Sequence, residues 1–350
     1  MSGPVGWGIL GAGRISTVAV GPALAGSDRC RVVAVGAREV ARAATLAAAL
    51  DGLAAERAAE RAAEGAAGRP AAGRSARAYG SYEQVLADPE VEVVYVALPN
   101  DAHVPWVIEA LRAGKHVLCE KPLGLDATEV TSAFDAADSA GRLLVEAAWN
   151  RWHPRTGAAE RLVAEGAIGR VVSVDAGFVF SGVPAGDYRM QPARGGGALY
   201  DVGCYALAAV GWATGWAPVT EVGAEVRRHR EGVDLATTGR LRAGGTAATV
   251  RAGIDEPPGQ WLEIVGTEGV IRFGGAAFSA WTDAPAELEV SRGDGRPESR
   301  SFPACDPYRL MVDAVAQRVR GGSGWVVPRP ESEWVARAID ALRDAGAGPG

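Results

Sequence analysis

Cysteine is scarce and scattered in this chain of 350 residues: Cys30, Cys119, Cys204 and Cys305 stand far apart, and none forms a Cys-x-x-Cys pair. That spacing offers neither a zinc knuckle nor a redox dithiol. The four histidines are equally dispersed, so no metal site is expected. No apolar stretch approaches the roughly 20 residues needed to cross a bilayer. The opening Met-Ser-Gly-Pro lacks the charged start and apolar core of a leader peptide. No membrane partner is expected, and a cytoplasmic, reducing location with free thiols is. Charge of one sign is missing as well. The formal net charge is −6, and the densest basic run is Arg227-Arg228-His229-Arg230. So short a run supplies few of the phosphate contacts that dominate nucleic-acid affinity. Nucleic acid is therefore not an expected partner.

What the chain does have is apolar residues, 48% of the total, enough for a sizeable core. Its length suits two domains. The first part alternates strand and helix signals. Residues 5–10 form a short apolar run ending in glycines, the mark of a buried strand. A helix follows from about Arg14, and Gly21-Pro22 should kink or split it. Further strands are predicted at 31–36, 91–98, 116–120 and 143–147, with helices at 104–113 and 127–140. This order predicts an α/β fold with a doubly wound parallel sheet. An Ala/Arg-rich insertion at about 51–77 reads as helix in its first part and as a surface loop where Gly65, Gly68, Pro70 and Gly73 gather.

Beyond about residue 150 the pattern changes. Strand-like runs at 171–180, 220–228, 234–241, 246–254 and 261–265 are separated by turn residues, and Gly266-Thr-Glu-Gly269 suits a hairpin. Helices are predicted at 308–320 and 331–343. The expectation is a Rossmann domain over 1–123 and an α+β domain with an open, mostly antiparallel sheet over 124–350. Residues 124–150 should add a helix and a strand to the first domain.

Gly11-Ala-Gly13-Arg14-Ile15-Ser16 follows a predicted strand and opens a predicted helix. The first glycine permits a tight turn and the second lets backbone approach a pyrophosphate. The third position needs a small residue, which Ser16 supplies. A dinucleotide is implied, with its phosphates at the helix N-terminus. The second strand ends Gly36-Ala37-Arg38-Glu39, with alanine where NAD enzymes place an acid. The Arg38 guanidinium matches a 2′-phosphate and points to NADP(H) ahead of NAD(H). Glu39 is the counterweight, because a shift of one residue would restore an NAD signature. Leu98-Pro99-Asn100-Asp-Ala-His103 lies at a strand's carboxyl end, where such sheets bind ligands. Asn100 is a candidate partner of the nicotinamide ribose or carboxamide, or an N-cap of the next helix. His103 reads as a structural helix residue beside the cofactor. Glu120-Lys121-Pro122 also sits at a strand end, its proline fixing the backbone and its glutamate placed to hold the ammonium.

Taken in this order, these motifs resemble the Gfo/Idh/MocA oxidoreductase family. Arg151-Trp-His153-Pro154 resembles that family's segment after the last strand of the cofactor domain. Gly195-Gly-Gly-Ala-Leu-Tyr-Asp201-Val-Gly-Cys-Tyr205 resembles its second-domain motif. The resemblance runs from residue 5 to at least 320. It implies a nicotinamide cofactor, a carbohydrate-like substrate, and a homodimer or homotetramer formed through the C-terminal sheet. Inositol dehydrogenase-type members carry histidine where Tyr205 stands and aspartate where Ala208 stands. The tyrosine variant is that of glucose–fructose oxidoreductase, dimeric dihydrodiol dehydrogenase, NADP-dependent xylose dehydrogenase and certain sugar-nucleotide ketoreductases.

Asp201 and Tyr205 are four apart, which puts them on one helix face. A free tyrosine titrates near ~10, and a nearby ammonium lowers that value. The expected chemistry is hydride exchange at the nicotinamide. Tyr205 would exchange the substrate proton, Lys121 would lower its pKa and hold the substrate oxygen, and Asp201 would bind substrate hydroxyls or orient Lys121. His153 and Arg189 are candidates for substrate contact, and Arg151 for cofactor contact. Trp149 and Trp152 are candidates to stack on a sugar face. Two other readings stay open: a non-sugar carbonyl or trans-dihydrodiol as substrate, and a non-catalytic sensor on the same fold.

Overall fold

The computed structural model describes residues 3–63, 75–293 and 295–347. Strand β1 (Val5–Leu10) is buried at every residue, as a parallel strand covered on both faces must be. The chain then turns at Gly11, where φ is +106° and a Cβ would lie 2.4 Å from the Ala97 carbonyl oxygen. Only glycine fits there. The following helix is split as Gly21-Pro22 predicted. A π-helical turn (Ser16–Val20) changes pitch into α1 (Gly21–Ala25).

The first sheet continues with β2 (Cys30–Gly36), α2 (Val40–Ala63), β3 (Arg77–Tyr79), α3 (Tyr82–Ala87) and β4 (Val93–Val96). Then come α4 (His103–Arg112), β5 (His116–Cys119), α5 (Ala127–Ala140) and β6 (Leu144–Glu146). The strand order is β3-β2-β1-β4-β5-β6, with every pairing parallel. The order reverses between β1 and β4, so the ligand crevice lies beyond their carboxyl ends. Helix α5 has the predicted bounds because both ends are marked. Asp126 accepts from the Glu129 amide, Glu129 accepts from the Leu125 amide, and Gly141 closes it at φ +60°. The alanines of α2 extend helix well into the insertion. The loop expected after it falls outside the described residues.

The second unit starts with α6 (Pro154–Ala164), β7 (Val171–Val179) and α7 (Cys204–Ala213). Six of its remaining strands are β8 (Val219–Arg228), β9 (Asp234–Ala243), β10 (Thr246–Gly253), β11 (Gly259–Gly266), β12 (Gly269–Phe273) and β13 (Ala286–Arg292). The chain closes with β14 (Glu298–Phe302), α8 (Pro307–Val319) and α9 (Arg329–Gly346). Eight strands form one sheet in the order β14-β13-β12-β11-β7-β10-β9-β8. All neighbours are antiparallel except β7 and β10. Thr267 and Glu268 form the predicted hairpin loop.

Helix α7 is buried along its whole length and packs on β7, β10 and β11. The opposite sheet face carries cross-strand ion pairs, among them Glu225–Arg240 and Glu263–Arg272. Arg155, at the start of α6, is buried. Its guanidinium donates to the carbonyls of Gly274 (2.9 Å), Ala276 (2.7 Å) and Ala277 (2.8 Å), fastening the turn before Phe278. Among the described residues, no helix is long and apolar enough to cross a membrane.

Candidate active site

The segment after β5 is braced before Lys121 is presented. The Tyr95 hydroxyl donates to Glu120 Oε1 at 2.6 Å, and the Leu123 amide donates to Glu146 Oε1 at 3.0 Å. The His103 ring lies between the carbonyls of Leu98 and Pro122, 2.8 Å from each. It therefore ties the end of β4 to the lysine loop. Held this way, the Lys121 ammonium donates to the Asp201 carbonyl (2.6 Å) and to Asp201 Oδ1 (3.1 Å).

Asp201 and Tyr205 come from the other unit. A glycine run, with Gly195 at φ +69° and Gly197 at φ +122°, leads into a π-helical turn (Leu199–Gly203) continuous with α7. Asp201 sits on that turn and Tyr205 on the helix, and both face Lys121. The Arg189 Nε donates to Asp201 Oδ2 at 2.8 Å, so each carboxylate oxygen has a cationic partner. Burial opposes the Asp201 charge, but Lys121 and Arg189 outweigh it and hold the carboxyl below its ordinary range. Burial also opposes the Lys121 charge. Tyr205 and Asp201 outweigh it and keep the ammonium firmly protonated.

The Tyr205 oxygen accepts from Trp149 Nε1 at 2.8 Å, and Lys121 Nζ lies 5.2 Å from the Tyr205 ring centre. The ring is packed against Phe178 (5.7 Å) and Phe278 (6.3 Å), while Trp149 stacks on Tyr308 at 4.5 Å. This apolar setting works against the lysine. Burial raises the Tyr205 pKa above its ordinary value, and the Lys121 charge and Trp149 hydrogen bond offset only part of the rise. Lys121 moderates the phenol without bringing its pKa below normal.

The structure places five other residues differently. Glu120 does not hold the Lys121 ammonium, because it is turned to Tyr95; Asp201 does that work. Arg151 is taken up by the core. It is buried between Trp216 and Trp325 and paired with Glu160 and Glu331, both at 2.8 Å. His153 is buried, and its Nδ1 accepts from the Arg155 amide as the N-cap of α6, while its Nε2 has no hydrogen-bond partner among the described residues. Burial pushes its pKa down to about 4. Asn100 caps nothing with its side chain; its amide donates to the Gly195 carbonyl at 2.8 Å and joins the two units. Trp152 lies apart, its ring nitrogen donating to the Trp325 carbonyl.

The residues of the glycine turn fit a dinucleotide. A Cβ at Gly13 would meet nothing within 4 Å, so the turn is open on that side. The Ser16 hydroxyl donates to the Gly11 carbonyl at 2.7 Å and locks the turn from beneath. Arg14 is exposed and Ile15 half-buried just past it. Arg38 is exposed beyond β2, and the charges of Arg38, Arg42 and Arg194 all act on the Tyr82 hydroxyl. Arg42 was missed in the sequence reading. It stands four residues past Arg38, and its Nη2 donates to the Ala12 carbonyl at 2.9 Å, bridging the turn and the predicted 2′-phosphate position. Trp149 was read as a stacking residue; its role as donor to Tyr205 needed the tertiary contact.

Two family models match the chain. One, described as an oxidoreductase family with an NAD-binding Rossmann fold, matches residues 5–147, and the GFO/IDH/MocA C-terminal domain matches residues 156–272. The chain belongs to the Gfo/Idh/MocA oxidoreductase family. It is similar to D-xylose 1-dehydrogenase (NADP(+)) 2 of Haloferax volcanii, 37% identical over 97% of this chain and 96% of that protein. It is similar as well to trans-1,2-dihydrobenzene-1,2-diol dehydrogenase of Mus musculus, 31% identical over 97% and 96% of the two chains. Among solved structures it resembles KijD10, a 3-ketoreductase of Actinomadura kijaniata in complex with NADP and TDP-benzene. That match has a TM-score of 0.84 and 28% identity, and covers 98% of each chain.

Removing Asp201 leaves the largely buried Lys121 ammonium without its anion, while half-exposed Arg189 keeps Asp187. Breaking a buried pair in this way costs roughly 3–5 kcal/mol. Asp201→Ala should lower the urea-unfolding free energy by that order, with Asp201→Asn between it and the parent. A midpoint equal to the parent's would show that the contact between Lys121 and Asp201 adds nothing to the fold.

Proposed function

We propose that the protein interconverts a hydroxyl and a carbonyl on a sugar, polyol or sugar nucleotide, using NADP(H). The observation that carries this reading is the meeting of Lys121 from one unit with Asp201 and Tyr205 from the other, at the ligand edge of a dinucleotide-binding sheet. The Gly11–Gly13 turn, with Arg14 and Ile15, would hold the pyrophosphate. Arg38 and Arg42 would hold the 2′-phosphate, and the 98–100 segment would flank the nicotinamide. When bound, the cofactor supplies or accepts the hydride.

Tyr205 supplies or accepts the proton. Trp149 occupies one lone pair of the Tyr205 oxygen, which leaves the hydroxyl proton free for the substrate and stabilises the phenolate once it has left. Lys121 adds positive charge beside that phenolate and holds the substrate oxygen. Asp201 and Arg189 keep Lys121 in place, and each Asp201 oxygen, with one donor already on it, keeps a second acceptor site for a substrate hydroxyl.

The aromatic wall of Phe178, Phe278 and Trp149 beside Tyr205 favours a second reading, a trans-dihydrodiol or other apolar alcohol. A screen following NADPH absorbance with aldoses, keto-sugar nucleotides and a benzene dihydrodiol separates the two. Turnover confined to the dihydrodiol would replace the sugar reading, and cofactor binding without any turnover would favour a sensor.

Association through the outward face of the eight-stranded sheet, as a homodimer or homotetramer, belongs to the same proposal. So does a reducing cytoplasmic location, which suits the free, buried thiols of Cys30, Cys119 and Cys204. Light scattering should give two or four times the mass of the chain, and the mass of a single chain would remove the oligomer.

Arg38→Ala should weaken NADP affinity by roughly 1.5–3 kcal/mol, the worth of one charge-assisted hydrogen bond, and leave NAD affinity nearly unchanged. Isothermal titration of both cofactors checks this, and equal affinity for the two in the parent would sink it. Lys121→Ala and Tyr205→Phe should each lower turnover by about 10²–10⁴, the usual loss on removing a positioned acid or base. Trp149→Phe keeps a ring but loses the donor that lowers the Tyr205 pKa. In the oxidising direction the rising limb of kcat/KM against pH should therefore move to higher pH, by about one to two units. A limb that stays in place would show that Trp149 does not act on Tyr205.

A further inference from the structure

Two small cavities adjoin the Lys121 site and share Glu146 in their linings. The inner one, about 20 Å³, is lined by Lys121, Glu146, Asn150, Cys204, Tyr205 and Ala208. The outer one, about 10 Å³, is lined by Glu146, Ser332, Leu123 and half-exposed Asp126, among others. A water centre needs roughly 10–15 Å³ and at least two polar partners. Each cavity has that room and a polar lining. Asn150 is 7% exposed and its Oδ1 has no hydrogen-bond partner among the described residues; Ser332 is 2% exposed and its Oγ, with no partner at full hydrogen-bond geometry among the described residues, faces the Glu146 carboxyl. Glu146 lines both cavities, is 6% exposed, and accepts from the Leu123 amide through Oε1. Lys121 uses two of its three ammonium hydrogens on Asp201 and has one left. Apolar cavities stay dry, whereas orphaned buried acceptors and hydroxyls are where interior water is retained.

We propose that these cavities each hold one water and, with Glu146 between them, form a proton relay from Lys121 and Tyr205 to the far side of the cofactor sheet, emerging at Asp126. The relay rests on the reductase reading above and assigns a task to Glu146, a residue outside the substrate cleft.

In the reducing direction, the carbonyl carbon takes a hydride and the carbonyl oxygen takes the Tyr205 proton. One alcohol forms and one phenolate is left. The O–H of Tyr205 is restored by a proton from Lys121, whose ammonium is restored from the inner water. The inner water takes a proton from the Glu146 carboxyl, and Glu146 regains one from the outer water, which draws on solvent past Asp126. One proton enters at Asp126 for each one delivered to substrate, and oxidation runs the chain backwards. Nothing in the protein changes its oxidation state. Two directions of charge suit the path. Burial raises the Tyr205 pKa, making its phenolate a strong proton acceptor, and burial raises the Glu146 pKa, favouring the proton-carrying form of its carboxyl.

The test is a stopped-flow experiment on the full chain, with NADPH and a carbonyl substrate found in the screen. Hydride transfer is read from NADPH absorbance, and proton uptake from a pH-indicator dye in weak buffer. In the parent, uptake should keep pace with every turnover. Glu146→Gln keeps the size and the acceptor for the Leu123 amide but cannot carry a proton. Its first turnover should run near the parental rate, because Tyr205 starts protonated. Later turnovers and proton uptake should lag at least ten-fold. Asn150→Leu replaces the inner acceptor with an apolar group of similar shape and should reproduce that pattern; it decides the matter should Glu146→Gln fail to fold. A crystal structure of the parent should show one ordered water in each cavity, and loss of the inner one in Asn150→Leu. Proton uptake in both variants equal to the parent's, or two dry cavities, would overturn the relay while leaving the reductase reading intact. No hydride transfer in the parent with any substrate would overturn that reading and the relay with it.

Discussion

The contact between Lys121 and Asp201 is the constraint around which the molecule is organised. An ammonium almost wholly removed from water needs an anion at hydrogen-bond distance, or it gives up its proton. On the cofactor sheet Glu120, the neighbour in sequence, is held by Tyr95, and one oxygen of Glu146 accepts from the Leu123 amide. The partner comes from the second unit, where the glycine run at 195–197 with the π-helical turn after it delivers Asp201. Lys121 thus meets its anion only where the two units are docked. The same docking sets Tyr205 beside it and pairs Asn100 with the Gly195 carbonyl. Building the site and joining the units are one event.

Much of this was legible in the chain. Gly11 could be assigned from spacing because its role is a backbone matter: a positive φ and a carbonyl at 2.4 Å exclude any side chain. Helix α5 could be bounded to the residue because its cap and its terminating glycine are local signals. Lys121, Asp201 and Tyr205 could be grouped because their positions at a strand end and on one helix face follow from element periodicity. The strands β12, β13 and β14 were less legible. They are five to seven residues long and toward one edge of the sheet, where half-exposed polar positions blur the alternation.

The errors have one physical source. A charged or aromatic residue near a motif can turn toward the cleft or toward the core, and one-dimensional spacing does not say which. Arg151 turned to the core because Glu160, Glu331 and two tryptophan rings offered its guanidinium a full set of partners. His153 was taken by the first turn of α6, whose amide needed a cap. The sign of the Tyr205 shift depended on the density of aromatic rings around it, which the motif does not encode. Trp149 and Arg42 entered the site through single hydrogen bonds across long sequence separations.

The caged guanidinium of Arg155 has a mechanical consequence. Helix α6 opens the second unit, so Arg155 moves with the eight-stranded sheet. Its three strong carbonyl contacts lie on the turn that carries Phe278, one of the rings against Tyr205. A hinge between the units at residues 147–154 leaves these contacts untouched, because the cation and the ring lie on the same side of it. Phe278 is thereby fixed to the unit that carries Tyr205, and the two travel together when the units part.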